Sequence, residues 1–104
     1  MAKVMIVTGA SRGIGAATAR LAAASGYRVV VNFAHDGGAA QAVVESIAAD
    51  GGEVTALQAD VSREDEVRRL FERADAVFGA PAVLVNNAGV VDVKARVDQM
   101  DAAR

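Results

Sequence analysis

Four short apolar runs, separated by longer amphipathic segments, constrain the fold of this 104-residue chain more than any other feature. The segment Lys3 to Thr8 contains four consecutive apolar residues, and Tyr27 to Phe33 is centred on three consecutive valines. An unbroken apolar run of this length is typical of a strand buried on both faces, as in a parallel sheet. Ala82 to Val85 predicts another buried strand, and Glu53 to Ala59 predicts a weaker one.

Three helical patterns lie between these predicted strands. The first runs from Gly13 to about Ser25, and Gly26 follows where a left-handed residue commonly ends a helix. The second runs from about Gly38 to Asp50, and the third follows Ser62, which forms a pair with Asp65 similar to a capping box. The apolar stripes of the three helices are predicted to be Ile14, Ala17, Thr18, Leu21; Ala40, Val43, Val44, Ile47; and Val67, Leu70, Phe71, Ala74.

The alternation of strands and helices predicts an α/β fold with a doubly wound parallel sheet. Parallel neighbours must be joined by a crossover, and such crossovers are right-handed. We therefore expect the strand order 3-2-1-4 with helices on both faces, as in the first part of a Rossmann-like fold. This order places a crevice between the first and fourth strands, at their carboxyl ends.

Composition excludes several classes of function. Eleven Lys and Arg against 13 Asp and Glu leave a net charge of −2, which argues against nucleic acid and membrane surfaces as partners. The absence of Cys and the single His35 argue against a disulfide framework and a metal site. No apolar stretch approaches the roughly 20 residues of a membrane span. We expect a soluble, cytoplasmic protein.

The loop after the first predicted strand reads Thr8-Gly9-Ala10-Ser11-Arg12-Gly13-Ile14-Gly15. Glycines at such a turn allow a sharp bend and close approach of the backbone to a ligand, and the amides at the helix start favour an anion such as a pyrophosphate. The spacing Gly-x3-Gly-x-Gly differs from both the G-x-G-x-x-G fingerprint and the P-loop. A glycine turn that serves only packing is the alternative.

This loop, together with Asp60-Val61 and Asn86-Asn87-Ala88-Gly89, resembles the signatures of the short-chain dehydrogenases/reductases. Each of the three motifs follows a predicted strand, and the resemblance covers nearly the whole chain. In general appearance the sequence is most similar to ketoacyl-carrier-protein reductases and glucose-dehydrogenase-like members of that family.

The resemblance implies a set of cofactor-binding residues. It implies that Asp60 and Val61 face the adenine, and that Asn86 joins the fourth strand to its neighbour. An ordinary turn or cap at Asp60, and an ordinary polar turn at 86–89, are the alternatives. The residues implied at the pyrophosphate and adenosine ribose are Gly9, Ser11, Arg12, Gly13, Ile14 and Gly15, and those near the ribose floor are Asn87, Ala88 and Gly89.

The bend after the second strand bears on the choice of cofactor. A free ribose 2′-OH is usually held by an acidic residue there, whereas a 2′-phosphate needs cations. The bend begins with Asn32, which we include among the predicted cofactor-binding residues, and it carries no carboxylate before Asp36. Arg12 in the glycine loop offers a cation. NADP is therefore predicted, with NAD as the alternative. His35 is either a second donor to the phosphate or a solvated residue without a role.

The family's catalytic Ser, and its Tyr with a Lys four residues later, are not found here. The single tyrosine is Tyr27, position 31 is Val31, and the lysines are Lys3 and Lys94. We therefore expect one partial dinucleotide-binding domain over 1–104, truncated before the catalytic segment and inactive alone.

Two classes of function remain. The first is an oxidoreductase that transfers a hydride between NADP(H) and a carbonyl or alcohol substrate, which only a full-length form would bind. The second is a noncatalytic dinucleotide-binding or interaction module. For the isolated chain, self-association through an exposed sheet edge is expected.

Overall fold

A parallel sheet carries helices on both of its faces in the computed structural model, which describes residues 2–87. The seven elements are β1 (Val4–Val7), α1 (Gly13–Ala24), β2 (Arg28–Phe33), α2 (Gly37–Ala49), β3 (Val54–Gln58), α3 (Glu64–Phe78) and β4 (Pro81–Val85). Each predicted strand and helix is present, with bounds that differ from the prediction by at most two residues.

The sheet has the strand order β3-β2-β1-β4, and every neighbouring pair is parallel. In the register, Val7 pairs with Val31 on one side and with Val85 on the other, so β1 is central. The predicted α/β class and the order 3-2-1-4 are confirmed. Because all four strands run in one direction, their carboxyl ends meet at one edge of the sheet.

Two hydrophobic clusters lie on opposite faces of the sheet. On one face, α1 and α2 pack against alternate strand residues that include Met5, Val7, Val29 and Val31. On the other face, α3 contributes Leu70 and Ala74 and packs against Val4, Ile6 and Val30. The predicted stripes of α2 and α3 are the faces that pack, because Val43, Ile47, Leu70 and Ala74 are buried.

The predicted stripe of α1 is wrong as a packing face. Ile14 and Leu21 are 76% and 70% exposed in the described part of the chain. The buried residues of this helix are instead the small ones, Gly15, Ala16, Ala19 and Ala22. Small side chains allow the helix axis to approach the sheet closely, so here close packing decides the orientation of the helix rather than the size of its apolar side chains.

The predicted capping pair at the start of α3 is also not formed. The helix begins at Glu64 after Arg63, which makes no capping hydrogen bond with its side chain. The hydroxyl of Ser62 donates to Asp60 Oδ1 at 2.6 Å instead, and the Asp60 amide donates to Glu66 Oε1 at 2.7 Å. Ser62 therefore pairs with a carboxylate near the start of α3. That carboxylate belongs to Asp60, two residues before the serine, and not to Asp65.

β4 forms one edge of the described sheet. It begins with Pro81, and the register with β1 skips Ala82 between the pairs Val4–Pro81 and Met5–Val83. A proline and an irregular register are common features of edge strands. Among residues 2–87, no helix is both long and apolar enough to cross a membrane.

Candidate functional site

Thr8 joins the carboxyl ends of β1 and β4. Its amide donates to Val85 O at 3.0 Å, and its Oγ1 accepts the Asn87 amide at 2.8 Å. The same hydroxyl has two acceptors within reach, Val85 O at 3.3 Å and Asn86 Oδ1 at 3.2 Å. Thr8 is 1% exposed, so these bonds form in the interior, where they are least exchanged with water. They hold the segment 86–87 beside the glycine loop.

Two glycines of this loop have left-handed backbone conformations. Gly9 has φ 59° and Gly13 has φ 63°. An L side chain in this region costs roughly 1–2 kcal/mol, because its Cβ crowds the following carbonyl. The loop therefore reverses direction between β1 and α1 at positions that favour glycine.

Gly15 is required for a different reason, which is space. A Cβ at this position would lie 2.6 Å from Asn87 Nδ2, and it would also overlap the carbonyl oxygen of Gly9. The Asn87 side chain itself donates to that carbonyl at 3.4 Å. Gly15, Gly9 and Asn87 thus form a closely packed junction between α1, the loop and the end of β4.

The amino end of α1 faces out of this junction. No side chain caps the helix, and the first backbone bond runs from the Ala16 amide to Arg12 O at 3.3 Å. The amides of the first turn, which begins at Gly13, have no acceptor within the helix, as is general for a first turn. Arg12 and Ile14 are exposed here, and Ser11 is half-buried. Uncapped amides with the positive end of the helix dipole attract anions.

Asn32 lies beneath the glycine loop rather than at its surface. It is 1% exposed, and its Oδ1 accepts the Gly9 amide at 3.4 Å. Its Nδ2 donates to Leu57 O at 3.3 Å and to Ala59 O at 3.2 Å. The side chain therefore links the ends of β1, β2 and β3, and it holds the Gly9 amide from below.

Arg12 contacts the carboxylate of Asp36 across the mouth of the site. The guanidinium Nη2 pairs with Asp36 Oδ2, and the other oxygen, Oδ1, accepts the Ala39 amide at 2.9 Å. Asp36 is the N-cap of α2. The pair connects the β1–α1 loop to the β2–α2 loop, on the side where the sequence predicts the adenosine ribose.

Asp60 follows β3 and turns back onto Ser62. The Ser62 hydroxyl, and then the Ser62 amide at 3.0 Å, lower the pKa of the Asp60 carboxyl below its ordinary value. His35 and Arg63 add smaller contributions in the same direction. His35 is exposed, whereas Val61 is 6% exposed and packs with Leu70 on the α3 face of the sheet.

The structure brings the predicted residues 9–15, Asn32, Asp60 and Asn87 to one edge of the sheet. Ala88 and Gly89 lie outside the described residues. The contact of Asp36 with Arg12 was not predicted from the sequence. The signal available was the order Asp36-Gly-Gly-Ala39, which is typical of an N-cap and hence of a carboxylate held at this edge.

The described residues offer binding groups here but not the predicted family's catalytic pair. Tyr27 precedes β2, at the end of the sheet opposite the site, and its amide donates to Ala22 O at 3.1 Å. The arrangement around 9–15 combines uncapped amides, a cation at Arg12 and the polar end of Asn87. These are the kinds of group that hold anionic ligands in proteins.

Known proteins are similar to this chain in sequence and in fold. A 3-oxoacyl-(acyl-carrier-protein) reductase of Synechocystis sp. is 54% identical over 86% of this chain. A reductase of the same name from Staphylococcus epidermidis is 49% identical over 86% of the chain. The crystal structure of a short chain dehydrogenase from Mycobacterium avium has a TM-score of 0.78 and 46% identity over 85% of the chain.

The chain spans just over a third of these proteins, namely 36% and 37% of the two reductases and 34% of the M. avium chain. A family model described as short chain dehydrogenase matches residues 3–103. The resemblance inferred from the three sequence motifs is thereby confirmed, and the chain belongs to the short-chain dehydrogenase/reductase family.

Proposed function

We propose that the loop 9–15 and the amino end of α1 bind the pyrophosphate of a nicotinamide dinucleotide in an NADP(H)-dependent oxidoreductase. The single observation that carries this proposal is the backbone geometry of the loop. Gly9 and Gly13 have positive φ, no side chain caps α1, and the turn opens at the carboxyl end of β1 beside β4. Ligands of open α/β sheets bind at the carboxyl ends of the strands, where the connections from two neighbouring strands lead to opposite faces of the sheet.

The residues present fit a dinucleotide. The amides of the first turn supply donors for phosphate oxygens, and a Cβ at Gly13 would meet no protein atom within 4 Å, so the backbone there is open to a ligand. The remaining residues proposed to line the site are Ser11, Arg12, Ile14, Gly15, His35, Asp60, Val61, Asn87, Ala88 and Gly89. Asn32 is proposed to act from below, through its bond to the Gly9 amide.

NADP is the proposed cofactor, and NAD is the alternative. Arg12 supports NADP because its side chain is 74% exposed and lies on the proposed ribose side of the loop. The contact of Arg12 with Asp36 weakens this support, since a 2′-phosphate would meet a carboxylate beside the cation. We retain NADP because both oxygens of Asp36 already accept hydrogen bonds, from Arg12 and from the Ala39 amide.

The proposed reaction is hydride transfer between NADP(H) and a carbonyl or alcohol substrate. It is supported by family membership and by relatives that carry the name of 3-oxoacyl-(acyl-carrier-protein) reductase. The cofactor would supply the hydride, and residues of this chain would bind and orient it. The 104 residues contain no Tyr-x3-Lys. We therefore propose that they form a partial dinucleotide-binding domain that does not turn over substrate alone. Separately, we propose that the protein is located in the cytoplasm.

A noncatalytic binding or interaction module is the second candidate. The specific observation that favours it is the edge of the described sheet, where Val83, Leu84 and Val85 of β4 are only half-buried. Half-buried apolar residues on an edge strand favour pairing with another chain. We propose self-association through this edge as the accompanying property.

Calorimetric titration of the purified chain with NADPH, and separately with NADH, tests the proposed site. In Gly13→Ala a side chain enters the left-handed region at the loop, and we expect affinity for both dinucleotides to fall by about tenfold or more. Gly51→Ala is the matched control, because Gly51 has φ 87°, equally open surroundings and a position away from the site. It should lose similar stability and retain binding.

Absence of dinucleotide binding by a chain whose circular dichroism shows the α/β fold contradicts the proposed site. Equal loss of binding in the Gly13 and Gly51 variants would also contradict it, because the effect would then come from stability alone. NADPH oxidation by the 104 residues with a carbonyl substrate would overturn the proposal that they are inactive alone.

A further inference from the structure

We infer that Gln58 is a positioning residue for the adenosine end of the bound dinucleotide. The inference rests on the proposed function and deepens it, since it concerns the loop 34–36, which follows β2 on the proposed ribose side of the site. Gln58 is the last residue of β3, and its side chain donates to this loop. Its role is to order the loop before the dinucleotide arrives, without a contact of its own to the ligand.

The side-chain amide of Gln58 extends the hydrogen bonding between β2 and β3. The register of these strands ends at the pair Phe33–Gln58, and the Ala59 amide donates to Phe33 O at 3.0 Å just beyond it. The next carbonyl along the chain, Ala34 O, accepts the Gln58 side chain at 2.9 Å in place of a backbone amide. The bond therefore holds the first residue of the loop 34–36 in line with the sheet after β2 has ended.

The donor on Gln58 starts from a backbone that is itself held. Arg73 Nη1 of α3 donates to Gln58 O at 3.2 Å, and β3 pairs with β2 as far as Gln58. At the other end of the loop, Asp36 Oδ1 accepts the Ala39 amide at 2.9 Å and caps α2. The loop is therefore anchored at both ends, by Gln58 at position 34 and by the helix cap at position 36.

The loop between these anchors carries groups on the proposed adenosine side of the site. His35 is exposed there, and Asp36 contacts Arg12 of the glycine loop. Removal of the bond to Ala34 O would leave the first half of the loop without this anchor. A loop that becomes ordered only when a ligand binds costs conformational entropy, and this cost lowers the affinity. The bond from Gln58 therefore favours binding by ordering the loop in advance.

The exposure of this bond separates its effect on the loop from its effect on the fold. Gln58 is exposed, and an exposed hydrogen bond adds little to stability because water can replace either partner. The replacement Gln58→Met keeps an unbranched side chain of similar length and removes the donor. Gln41→Met is the matched control, because it makes the same change at an exposed position of α2. Both variants should unfold at the same urea concentration as the wild type.

Two readouts test the inference. The first is the NMR order parameter of the backbone amides of residues 34–36 in the ligand-free chain, which should fall in Gln58→Met from about 0.85 toward about 0.6. The second is the calorimetric affinity for AMP, a probe of the adenosine end, which should weaken by about three- to tenfold. The affinity for inorganic pyrophosphate should stay unchanged, because the loop proposed to bind it is 9–15. Gln41→Met should change none of these values.

The outcomes separate this inference from the proposed function. An unchanged order parameter in Gln58→Met overturns the inference, because the bond then does not order the loop. A lower order parameter with unchanged AMP affinity also overturns it, while the proposed site stands. Equal losses of affinity for AMP and pyrophosphate would assign the effect to the fold as a whole and overturn the positioning role. If the wild-type chain binds neither NADPH nor NADH, the proposed site fails, and the inference fails with it.

Discussion

The Cα of Gly15 faces the side-chain amide of Asn87 so closely that a Cβ would lie 2.6 Å from Nδ2. Asn87 in turn donates to Gly9 O at 3.4 Å, so three segments of the chain meet at this point. Backbone atoms supply most of the surface there and cannot rotate away. The junction therefore depends on the absence of a side chain at position 15.

Gly15→Ala should destabilise the fold and displace the glycine loop. The added methyl must push either the Gly9 carbonyl or the Asn87 amide, and overpacking of this kind typically costs about 1–3 kcal/mol of unfolding free energy. Urea denaturation measures the loss. Gly37→Ala is the control, since a Cβ there would lie 3.5 Å from Phe33, an ordinary contact at the start of α2. Equal stability of the two variants would contradict the close packing.

Asn32→Ala should destabilise the fold although it removes no apolar contact of importance. It would leave the Gly9 amide and the Leu57 and Ala59 carbonyls without this partner in a buried place. An unsatisfied buried group costs about 1–3 kcal/mol, so we expect a loss of at least that size in urea unfolding. Gln58→Ala also removes a hydrogen bond, which the side-chain amide of Gln58 donates to Ala34 O at 2.9 Å, but at an exposed site. Its cost should stay below about 0.5 kcal/mol.

Ser62→Ala should raise the pKa of the Asp60 carboxyl. The Ser62 hydroxyl is the largest cause of the lowered pKa, and the bond from the Ser62 amide would remain, so the rise should be partial. A carbon-detected NMR titration of Asp60 measures it. Ser46→Ala is the control, because Ser46 bonds Arg20 at 3.4 Å on another face. An unchanged Asp60 titration in the Ser62 variant would contradict the assigned cause.

The same shift has a consequence for stability in acid. Because the pKa of Asp60 is lower in the folded chain, its ionised form stabilises the fold at pH values above the ordinary pKa of an aspartate. That stabilisation is lost as the pH falls through the lowered pKa. Wild type and Ser62→Ala should therefore differ in urea midpoint near neutral pH and converge in strong acid. A difference that persists below that range would assign the effect to another contact.

Ala82→Lys should reduce self-association through β4. Ala82 is exposed at the edge of the described sheet, where the register with β1 is irregular. A lysine on an edge strand opposes pairing with another strand because its charge would have to be buried. Light scattering over a range of concentrations measures the association. Ala42→Lys adds the same charge on the exposed side of α2 and should leave the association unchanged. Equal effects of the two lysines would argue against the edge.

Much of the fold was predictable because strands and helices depend on residues close together in sequence. The valines around Val30 and the spacing of Val43 and Ile47 are local patterns, and the strand order then follows from right-handed crossovers. The stripe of α1 was predicted wrongly for the same reason. Its large residues, Ile14 and Leu21, dominate a local pattern, whereas only the distance between helix and sheet selects Ala19 and Ala22 for burial.

The candidate site was predictable in its motifs but not in its contacts. Glycines at Gly9 and Gly13 signal a special backbone locally, and the structure gives both positive φ. The roles of Asn32 and Asp36 depend on partners in other loops. Asn32 reaches Ala59, 27 residues away, and Arg12 reaches Asp36, 24 residues away. No spacing rule along one chain predicts which of several polar side chains will meet across a sheet edge.

The sequence alone determined the α/β class, the alternation of elements and the glycine-rich turn, because each follows from conformational preferences over a few neighbouring residues. Only the tertiary structure decided which face of α1 is buried, that Asn32 supports the loop from below, and that Asp36 holds Arg12. These features arise when parallel strands bring the ends of distant segments to one edge. Their energies depend on distances that exist only after the sheet has formed.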